Sequence, residues 1–477
     1  MKNRINQVKT ILFVLHIASS FPELLQVAKL YMGRKDTKPV FLFDERYYPH
    51  LLMQRDIKIL FAEGIEVLNY SNQYPAKPIG SYLKNKISMR FRGLIPEELA
   101  NKIKHVVSFS LVWQLLDNLK VYCFIKKILK NKAVNLVILG LDVAQYNTSL
   151  YTKLAHALGI PAVIITNMMT NAQEFCELYY NNCLHRFNLL GDFLTLLFYP
   201  RWIKKYKGRK IKRLPSSGMI MAKEIMGIAP PLPWQIHSGF ADGILVESIK
   251  MRQLAVNSGL PKDKVYLTGV VSHDVMAKHL IESEKKRQDI YQKFGITDNL
   301  PFILLAMPQD DHPQGCARPF PTYKDMVLFL AESLSACNGY HTIVCPHPSI
   351  FRDQISFIEK LGFKISDEPT FNIIPACDIF IATCSSTIQW AISCSKPVIA
   401  YDYYRSRRNE FSEALGVLIV EDQDAFRSTL NKLTMDKQFY AQIQEKQKQC
   451  SAQWGQLDGQ ASDRILNVLN SFMHCAG

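Results

Sequence analysis

Residues 378–402 have the sequence DIFIATCSSTIQWAISCSKPVIAYD, and this stretch decides the fold. It consists of a short apolar run, a Ser-Ser-Thr turn, a helical segment and a second apolar run. Apolar strands joined by a helix in this way are typical of a parallel sheet that is covered on both faces. The stretch therefore predicts a β-α-β unit in which Ser385, Ser386 and Thr387 follow the end of the first strand.

The same alternation of apolar runs and helical patterns continues on both sides of this unit. A charged helical segment at 283–294 divides the series into two halves. We therefore predict an α/β fold of two Rossmann-like domains whose parallel sheets face a central cleft. The N-terminal domain is placed at 1–280, with an insertion at about 170–235, and the C-terminal domain at 281–460. The clearest predicted strands are 11–15, 39–43, 135–140, 162–165, 302–306, 342–345 and 397–401.

The composition agrees with a two-domain protein that binds an anionic partner. Its 477 residues exceed the roughly 250–300 at which single cores stop growing. The net charge of +15 favours a phosphorylated ligand, a membrane surface or nucleic acid. The eleven cysteines form no C-x-x-C pair, which predicts reduced thiols and argues against a zinc site.

The N-terminus contains a short apolar run, ILFVLHIA at residues 11–18, after a basic start. This order is similar to that of a signal peptide, but the run is short, contains His16 and precedes no clean cleavage site. We interpret it as the first strand of the fold. Because no apolar stretch reaches the ~20 residues of a membrane span, we expect a cytoplasmic protein.

The region at about 168–235 interrupts the alternation, and its centre is strongly basic. Residues 201–213 contain eight lysines and arginines and no acid, directly after an apolar and aromatic stretch. Such a segment suits an anionic membrane surface, which would make the protein peripheral on the inner face of the membrane. A solvated basic loop and an RNA contact are the alternatives. Of the possible partners we favour the membrane surface and expect no nucleic acid.

A second polar group follows another buried strand, in TIVCPHPS at residues 342–349. His347 and Pro348 come directly after that strand, and ligands of open α/β sheets bind at the carboxyl ends of strands. A histidine and the hydroxyls of Ser385, Ser386 and Thr387, on neighbouring strand ends, can hold a phosphate group. The structural alternatives are that His347 caps nearby backbone and that the hydroxyls cap the helix.

The order H-P, strand, S-S-T and a helix before K-P-V-I resembles the C-terminal half of GT-B glycosyltransferases. It looks closest to the bacterial HP/SS type, which includes sialyltransferases and capsule-associated Kdo transferases. DKVYLTGVVSHD at 263–274 and FILLAMPQDDHPQG at 302–315 are also similar to segments of this family. The resemblance covers about 240–405 by motif and the first 170 residues by architecture only.

This resemblance implies the ligands and the residues that bind them. The donor would be a nucleotide sugar, with a CMP-activated ulosonic acid slightly preferred over a UDP-sugar, and no other cofactor. The acceptor would be a hydroxyl of a bacterial surface glycan or of a lipid-linked glycan. GT-B enzymes generally need no metal, and their final helix, here within 461–477, usually returns to the first domain. The implied donor-binding residues are His347, Pro348, Ser385, Ser386 and Thr387.

The helix after the serine pair departs from the pattern of many UDP-sugar enzymes of this fold. Those enzymes carry a ribose-binding acid there, whereas this chain has Gln389 and Trp390. In the loop after strand 302–306, which approaches the donor phosphates in GT-B folds, Gln309 and His312 are candidate contacts. The two aspartates between them and His312 could bind a metal, but adjacent residues rarely give octahedral geometry. We predict no metal site.

The catalytic base is expected from the first domain, on the other side of the cleft. His16 follows the first strand and Asp142 follows strand 135–140, and parallel winding could bring these ends together. A carboxylate beside an imidazole orients it and raises its basicity. We predict a His16–Asp142 pair, with Asp44 and Glu45 as competing acids. A buried histidine and a helix-capping aspartate are the structural alternatives.

Three functions are compatible with these motifs. The first is a glycosyltransferase of surface-polysaccharide or lipid-linked glycan synthesis. The second is an isomerase similar to UDP-N-acetylglucosamine 2-epimerase, which shares the fold but needs several carboxylates and an arginine in the cleft. The third is a catalytically inactive nucleotide-binding scaffold.

Overall fold

Two parallel sheets with helices on both faces form most of the described chain. They have seven and six strands, which confirms the predicted α/β fold of two Rossmann-like domains. Among the described residues, no helix combines the length and apolar character needed to cross a bilayer. The computed structural model describes residues 8–69, 111–166, 172–237, 239–310, 319–350, 352–383, 385–405 and 411–475.

The first sheet has the order β3-β2-β1-β4-β5-β8-β9 once its strands are numbered along the chain. Its interior strand β1 is fully buried from Ile11 to Leu15, as expected for a strand covered by helices on both faces. The strands described up to residue 267 are β1 (Lys9–Leu15), β2 (Thr37–Phe43), β3 (Glu66–Asn69), β4 (Val134–Leu139), β5 (Ala162–Ile165), β6 (Ile203–Tyr206), β7 (Arg209–Lys212), β8 (Gly243–Val246) and β9 (Val265–Leu267).

The second sheet repeats the topology of the first, with the order β12-β11-β10-β13-β14-β15. Strand order reverses between β1 and β4 in one sheet and between β10 and β13 in the other. Such a reversal opens a crevice at the carboxyl edge of a sheet, where ligands bind. The strands of the second sheet are β10 (Phe302–Ala306), β11 (His341–Cys345), β12 (Lys364–Ile365), β13 (Ile379–Ala382), β14 (Val398–Tyr401) and β15 (Val417–Val420).

The helices that cover the sheets are amphipathic segments with local caps. The hydroxyl of Thr322, for example, accepts the backbone N–H of Asp325 in a capping box. The described α-helices are α1 (Phe21–Tyr31), α2 (His50–Ala62), α3 (Leu111–Asn131), α4 (Thr148–Ala157), α5 (Ala172–Tyr180), α6 (Leu189–Phe198), α7 (Ser217–Ile225), α8 (Ile249–Asn257), α9 (Val271–Ile281), α10 (Ser283–Phe294), α11 (Tyr323–Ser335), α12 (Arg352–Ile355), α13 (Thr370–Ile373), α14 (Thr387–Ser393), α15 (Gln423–Met435), α16 (Lys437–Trp454) and α17 (Ala461–Cys475).

Helix α17 lies against the first sheet, although it follows the second sheet in the chain. Ile465, Leu469 and Met473 recur every four residues and are buried in the same cluster as the core of β1. The Asp274 carboxylate of α9 accepts the backbone N–H groups of Ala461 and Ser462, both at 2.8 Å. An acid at this position satisfies the free donors of the first turn of α17.

Helix α9 also connects the two sheets. The buried carboxylate of Glu23 accepts the Val271 N–H at 2.6 Å and the Ser272 hydroxyl, and so caps the start of α9. Further along, Met276 belongs to a continuous apolar cluster that also contains Trp454 of α16 and residues of both sheets. The two halves of the chain therefore share one hydrophobic core.

The basic segment 201–213 forms an antiparallel hairpin of β6 and β7 instead of a loop. Its turn residues Lys207 and Gly208 both have positive φ, at 45° and 79°, as in the favoured two-residue hairpin turns. Arg213 is fully buried, with its guanidinium 4.0 Å from the ring centre of Phe175. Lys212 is also buried and pairs with Asp192 at 3.0 Å. Two of the eight basic residues are thus buried and stabilise the fold. The pattern of apolar residues in the sequence did not indicate their burial.

Candidate functional site

The polar residues predicted in the second domain lie at the crevice beside β10. Gln309 follows β10, His347 follows β11 and Ser385 follows β13. The sequence predicted that His347 and Ser385 lie on neighbouring strand ends, which is wrong, because β10 lies between β11 and β13. With strands ~4.8 Å apart, a ligand that touches both residues must span about 10 Å. That reach suits a nucleotide better than a lone phosphate.

The Nε2 of His347 has no hydrogen-bond partner within the part of the chain that the structure describes. Its Nδ1 accepts the backbone N–H of Ser349 at 3.1 Å and lies 2.7 Å from the Ser349 hydroxyl. Burial lowers the pKa of His347 to about 4, so the ring is neutral at pH 7. A neutral ring whose Nδ1 accepts hydrogen bonds carries its proton on Nε2. His347 therefore both caps local backbone and offers an Nε2–H donor.

Ser385 and Ser386 differ in the hydrogen bonds that their hydroxyls make. The Ser385 hydroxyl lies 2.8 Å from that of Thr387 and accepts the Thr387 N–H at 3.3 Å, so Ser385 closes the turn before α14. Ser386 is the N-cap residue, yet its side chain makes no capping hydrogen bond. All three side chains are half-buried. The capping alternative thus holds for Ser385, whereas Ser386 keeps its hydroxyl for other partners.

The loop after β10 is described only in part. Gln309 is exposed at its start, and Met307 and Pro308 before it are buried. His312 lies outside the described residues, as do Asp311 and the rest of the loop to residue 318.

Aromatic side chains adjoin this crevice, and sequence reasoning did not single them out. The hydroxyl of Tyr323 donates to the Pro308 carbonyl at 2.9 Å. Tyr403 and Tyr404 follow β14, with ring centres 4.1 Å apart, and Tyr404 is half-buried. The two rings are tilted by 41°, and the half-buried ring of Tyr404 offers a surface on which another flat ring can pack.

In the first domain the carboxylate neighbour of His16 is Asp44. The Nε2 of His16 lies 3.5 Å from an Asp44 oxygen, too far for a good hydrogen bond. Asp44 is held mainly by Arg46, whose Nε donates at 2.7 Å and whose Nη2 donates to the other oxygen. Although burial would raise the pKa of Asp44, the Arg46 guanidinium outweighs burial and holds it below its usual value.

The predicted partner Asp142 has a different position, and strand register explains why. Leu15 pairs with Phe43, so the next residue, His16, lies beside Asp44. On the other side Val14 pairs with Leu139, which leaves Asp142 one residue beyond His16. The Asp142 carboxylate accepts the Thr148 hydroxyl at 2.5 Å, in the first turn of α4.

Aromatic rings enclose His16. Its ring centre is 6.2 Å from those of Tyr47 and Tyr146 and 5.4 Å from that of Tyr151. His16 is only 2% exposed, and its pKa falls to about 4 because burial outweighs the nearby Asp44 charge. The half-buried Arg46, Tyr47 and Tyr146 form the outer surface of this group. A substrate reaches His16 only if these side chains move.

One hydrogen bond joins the first domain directly to the loop after β11. Arg55 of α2 donates from Nη1 to the Pro348 carbonyl at 2.8 Å. Its other guanidinium nitrogens bind the buried Asp56, whose second oxygen accepts the hydroxyl of Tyr48 at 2.5 Å. This chain of contacts fixes the loop that carries His347 against the first domain.

A second polar contact between the domains is centred on Glu247, which follows β8. This fully buried carboxyl accepts the Trp390 indole N–H at 3.0 Å and contacts the Gln389 amide. The Nε2 of His273 lies 3.7 Å away. Burial raises the pKa of Glu247 to about 8, and the Trp390 hydrogen bond only partly opposes this. Gln389 and Trp390 therefore serve the domain interface.

Within the described ranges, no three His, Cys, Asp or Glu residues are grouped so that they could hold a metal ion. The described cysteines are free thiols, and Cys345, Cys377 and Cys394 are buried. Burial raises the pKa of each of these three thiols to about 12, so they are neither thiolates nor nucleophiles at pH 7.

Known structures share this architecture. No protein-family model and no curated protein matches the chain. The chain is similar to UDP-GlcNAc 2-epimerase from Neisseria meningitidis bound to UDP-GlcNAc, with a TM-score of 0.50, 13% identity and coverage of 97% of this chain and 100% of that one. It is also similar to S. aureus MnaA in complex with UDP, with a TM-score of 0.52, 12% identity and coverage of 98% and 97%. At such identity the likeness shows the fold, which is GT-B with two Rossmann-like domains.

Proposed function

We propose that this chain is a GT-B enzyme that binds a nucleotide sugar between its domains and transfers the sugar to an acceptor hydroxyl. The observation that carries the proposal is that the Nε2–H of His347 and the hydroxyl of Ser386 lie on either side of the β10 strand end without a hydrogen-bond partner among the described residues. Neutral donors of this kind suit the phosphates of a departing nucleotide, and local hydrogen bonds already fix the ring of His347.

A UDP-sugar is the donor that we put first. The two similar structures with this fold contain UDP-GlcNAc and UDP. The H-P and S-S-T motifs had slightly favoured a CMP-activated ulosonic acid, a donor that finds no support in these likenesses. In either case His347, Ser386 and Gln309 would face the phosphates, and the Tyr404 ring would offer a surface for the base.

In the proposed transfer His16 is the base for the acceptor hydroxyl. If its Nε2–H faces Asp44, the other nitrogen is free to take a proton. The half-buried Arg46, Tyr47 and Tyr146 lie around the buried His16 ring in the resting structure, so the acceptor must displace them. Lids of this kind commonly open and close during turnover.

Replacing His16 by alanine should lower kcat by about 10²–10⁴-fold and leave UDP affinity unchanged, because a general base acts on the reaction and not on the donor. Since the pKa of His16 is lowered to about 4, the wild-type rate should not fall from pH 8 to pH 6. Steady-state kinetics across this range test both statements. His156→Ala, at an exposed histidine that pairs with Asp242 at 2.8 Å, is the matched control. An active His16→Ala enzyme would remove His16 from the mechanism.

Arg55→Ala should weaken UDP binding by about 3–10-fold, because the His347 loop loses one positioning hydrogen bond. The free energy of unfolding should also fall, by roughly 1–3 kcal/mol, because the buried Asp56 loses the guanidinium that donates to it. Calorimetric titration and urea unfolding measure the two effects. Arg427→Ala, at a 48% exposed arginine of α15, is the control. Equal UDP affinity in Arg55→Ala and wild type would show that this contact does not position the loop.

Epimerisation at C2 of UDP-GlcNAc is the second candidate, favoured by the likeness to the Neisseria enzyme. The carboxylates described at the domain interface are poorly placed for epimerisation, because Asp44 is bound to Arg46 and Glu247 is buried against Trp390. Chromatography of UDP-GlcNAc and UDP-glucose reactions separates the candidates. Release of UDP that requires an added glycan supports transfer. A UDP-sugar epimer formed without acceptor would replace transfer by isomerisation, and binding without any product would leave a scaffold.

A further inference from the structure

Helix α6 has an unusual orientation, with its polar residues inside and its apolar residues outside. Asp192 and Thr195 are 3% and 0% exposed, and Asp192 is fixed by Lys212 and by the Ser217 hydroxyl. On the outer face four large apolar side chains are each more than half exposed. They are Phe193 at 52%, Leu194 at 51%, Leu197 at 58% and Phe198 at 64%.

This outer face, which we call the α6 face, is defined by Phe193, Leu194, Leu197 and Phe198. The spacing i, i+1, i+4, i+5 places all four on one side of the helix. Helix α7 packs against both α6 and α3, and α7 and α3 each also have an exposed apolar side chain. Ile225 at the end of α7 is 58% exposed and Val112 of α3 is 63% exposed. Contiguous exposed apolar surface of this kind marks a contact with a membrane or another macromolecule.

The hairpin β6–β7 supplies positive charge beside the α6 face. The chain enters α6 alongside β7, since the Phe187 N–H donates to the Lys210 carbonyl at 3.2 Å. Arg201 and Lys207 are neutralised by Glu224 and Glu177. Lys205, Arg209 and Lys210 are exposed and have no acid partner among the residues that the structure describes.

We propose that the α6 face inserts into an anionic lipid surface and that the hairpin cations bind its head groups. Charge complementarity favours a lipid surface over a second copy of the chain. The hairpin cations of two copies would repel each other, on a protein whose net charge is +15. The apolar side chains enter the acyl boundary while the cations stay at head-group level. Membrane contact thus depends on α6 as well as on residues 201–213, where the sequence had placed it. This surface does not depend on the chemistry at His347.

Vesicle co-sedimentation of the full chain tests the proposal. Wild type should bind vesicles of phosphatidylcholine with phosphatidylglycerol at least about tenfold more tightly than phosphatidylcholine alone. Phe193→Ser/Leu197→Ser should weaken binding at least about tenfold through lost apolar burial, and Lys205→Glu/Arg209→Glu through lost charge. The matched control is Phe61→Ser/Ile281→Ser, which removes side chains 65% and 87% exposed on other helices. It should bind like wild type.

Three outcomes would overturn the proposal. They are an unbound wild type, equal binding to both vesicle types, and an apolar variant that binds as tightly as wild type. Sedimentation velocity tests a fourth. If the wild type is a dimer and Phe193→Ser/Leu197→Ser is a monomer, a second copy of the chain covers the α6 face. A UDP titration of each variant separates this result from the donor site, because α6 variants should keep wild-type UDP affinity whether or not they bind lipid.

Discussion

Glu247→Leu is expected to lower the free energy of unfolding by about 3 kcal/mol at pH 4.5, where the carboxyl carries a proton in the folded protein and its raised pKa has little effect on stability. Leucine fills a similar volume but leaves the Trp390 indole N–H and the Gln389 amide without an acceptor inside the protein. Each buried polar group that loses its partner costs roughly 1–3 kcal/mol. Urea unfolding followed by fluorescence measures the change. Glu413→Leu is the control, because that carboxylate also pairs between the domains, with Lys250 at 2.8 Å, but is 73% exposed. It should cost less than about 1 kcal/mol.

The pH dependence of stability gives a second result from the same residue. The pKa of Glu247 is about 8 in the folded protein and near the ordinary glutamate value of 4.5 when the chain is unfolded. Between these values the folded state keeps a proton that the unfolded state releases, so the free energy of unfolding falls as pH rises from 4.5 to 8. Glu247→Gln cannot titrate, so its free energy of unfolding should lack this fall, which is of the order of 5 kcal/mol. Parallel curves for Glu247→Gln and wild type would mean that Glu247 is ionised in the folded state.

His347→Ala is expected to weaken UDP binding by about 10–100-fold, the value of a hydrogen bond from a neutral donor to a charged phosphate. Ser386→Ala should weaken it as well, because the Ser386 hydroxyl has no capping role. Ser385→Ala should act mainly on the turn, where Ser385 accepts the Thr387 N–H. Calorimetric titration with UDP gives the three affinities.

The control for His347→Ala lies on the same strand. His341 begins β11, at the end opposite to His347, and pairs with Asp298 at 2.6 Å on the surface. His341→Ala should bind UDP like wild type. If His347→Ala and His341→Ala have the same affinity, the crevice beside β10 is not where the phosphates lie.

The strands and their polar ends could be predicted because both depend on local pattern. Buried parallel strands are apolar runs, and the residues that follow them meet at one edge of the sheet. His347 and Ser385 were found in this way. Their separation by β10 could not be, because strand order follows from the crossovers and not from any single segment.

The partners of the buried polar groups could not be predicted, because they are distant in sequence. Glu247 and Gln389 are 142 residues apart, and Arg55 and the Pro348 carbonyl are 293 apart. For His16 the chain offered two acids at adjacent strand ends, and only the register of β1 with β2 selects Asp44. The exposure of the α6 face could not be predicted for another reason. Its apolar residues are those that a sequence pattern normally assigns to the core.

The most direct test of the central claim is a thermal-shift titration of the wild-type chain with UDP, CMP, GDP and ADP. A ligand that binds the folded state alone adds about 2.7 kcal/mol of stability at one hundred times its Kd. We expect UDP to raise Tm in a saturable way, and His347→Ala to reduce that shift. No shift with any of the four nucleotides would contradict a nucleotide-sugar site between the two domains.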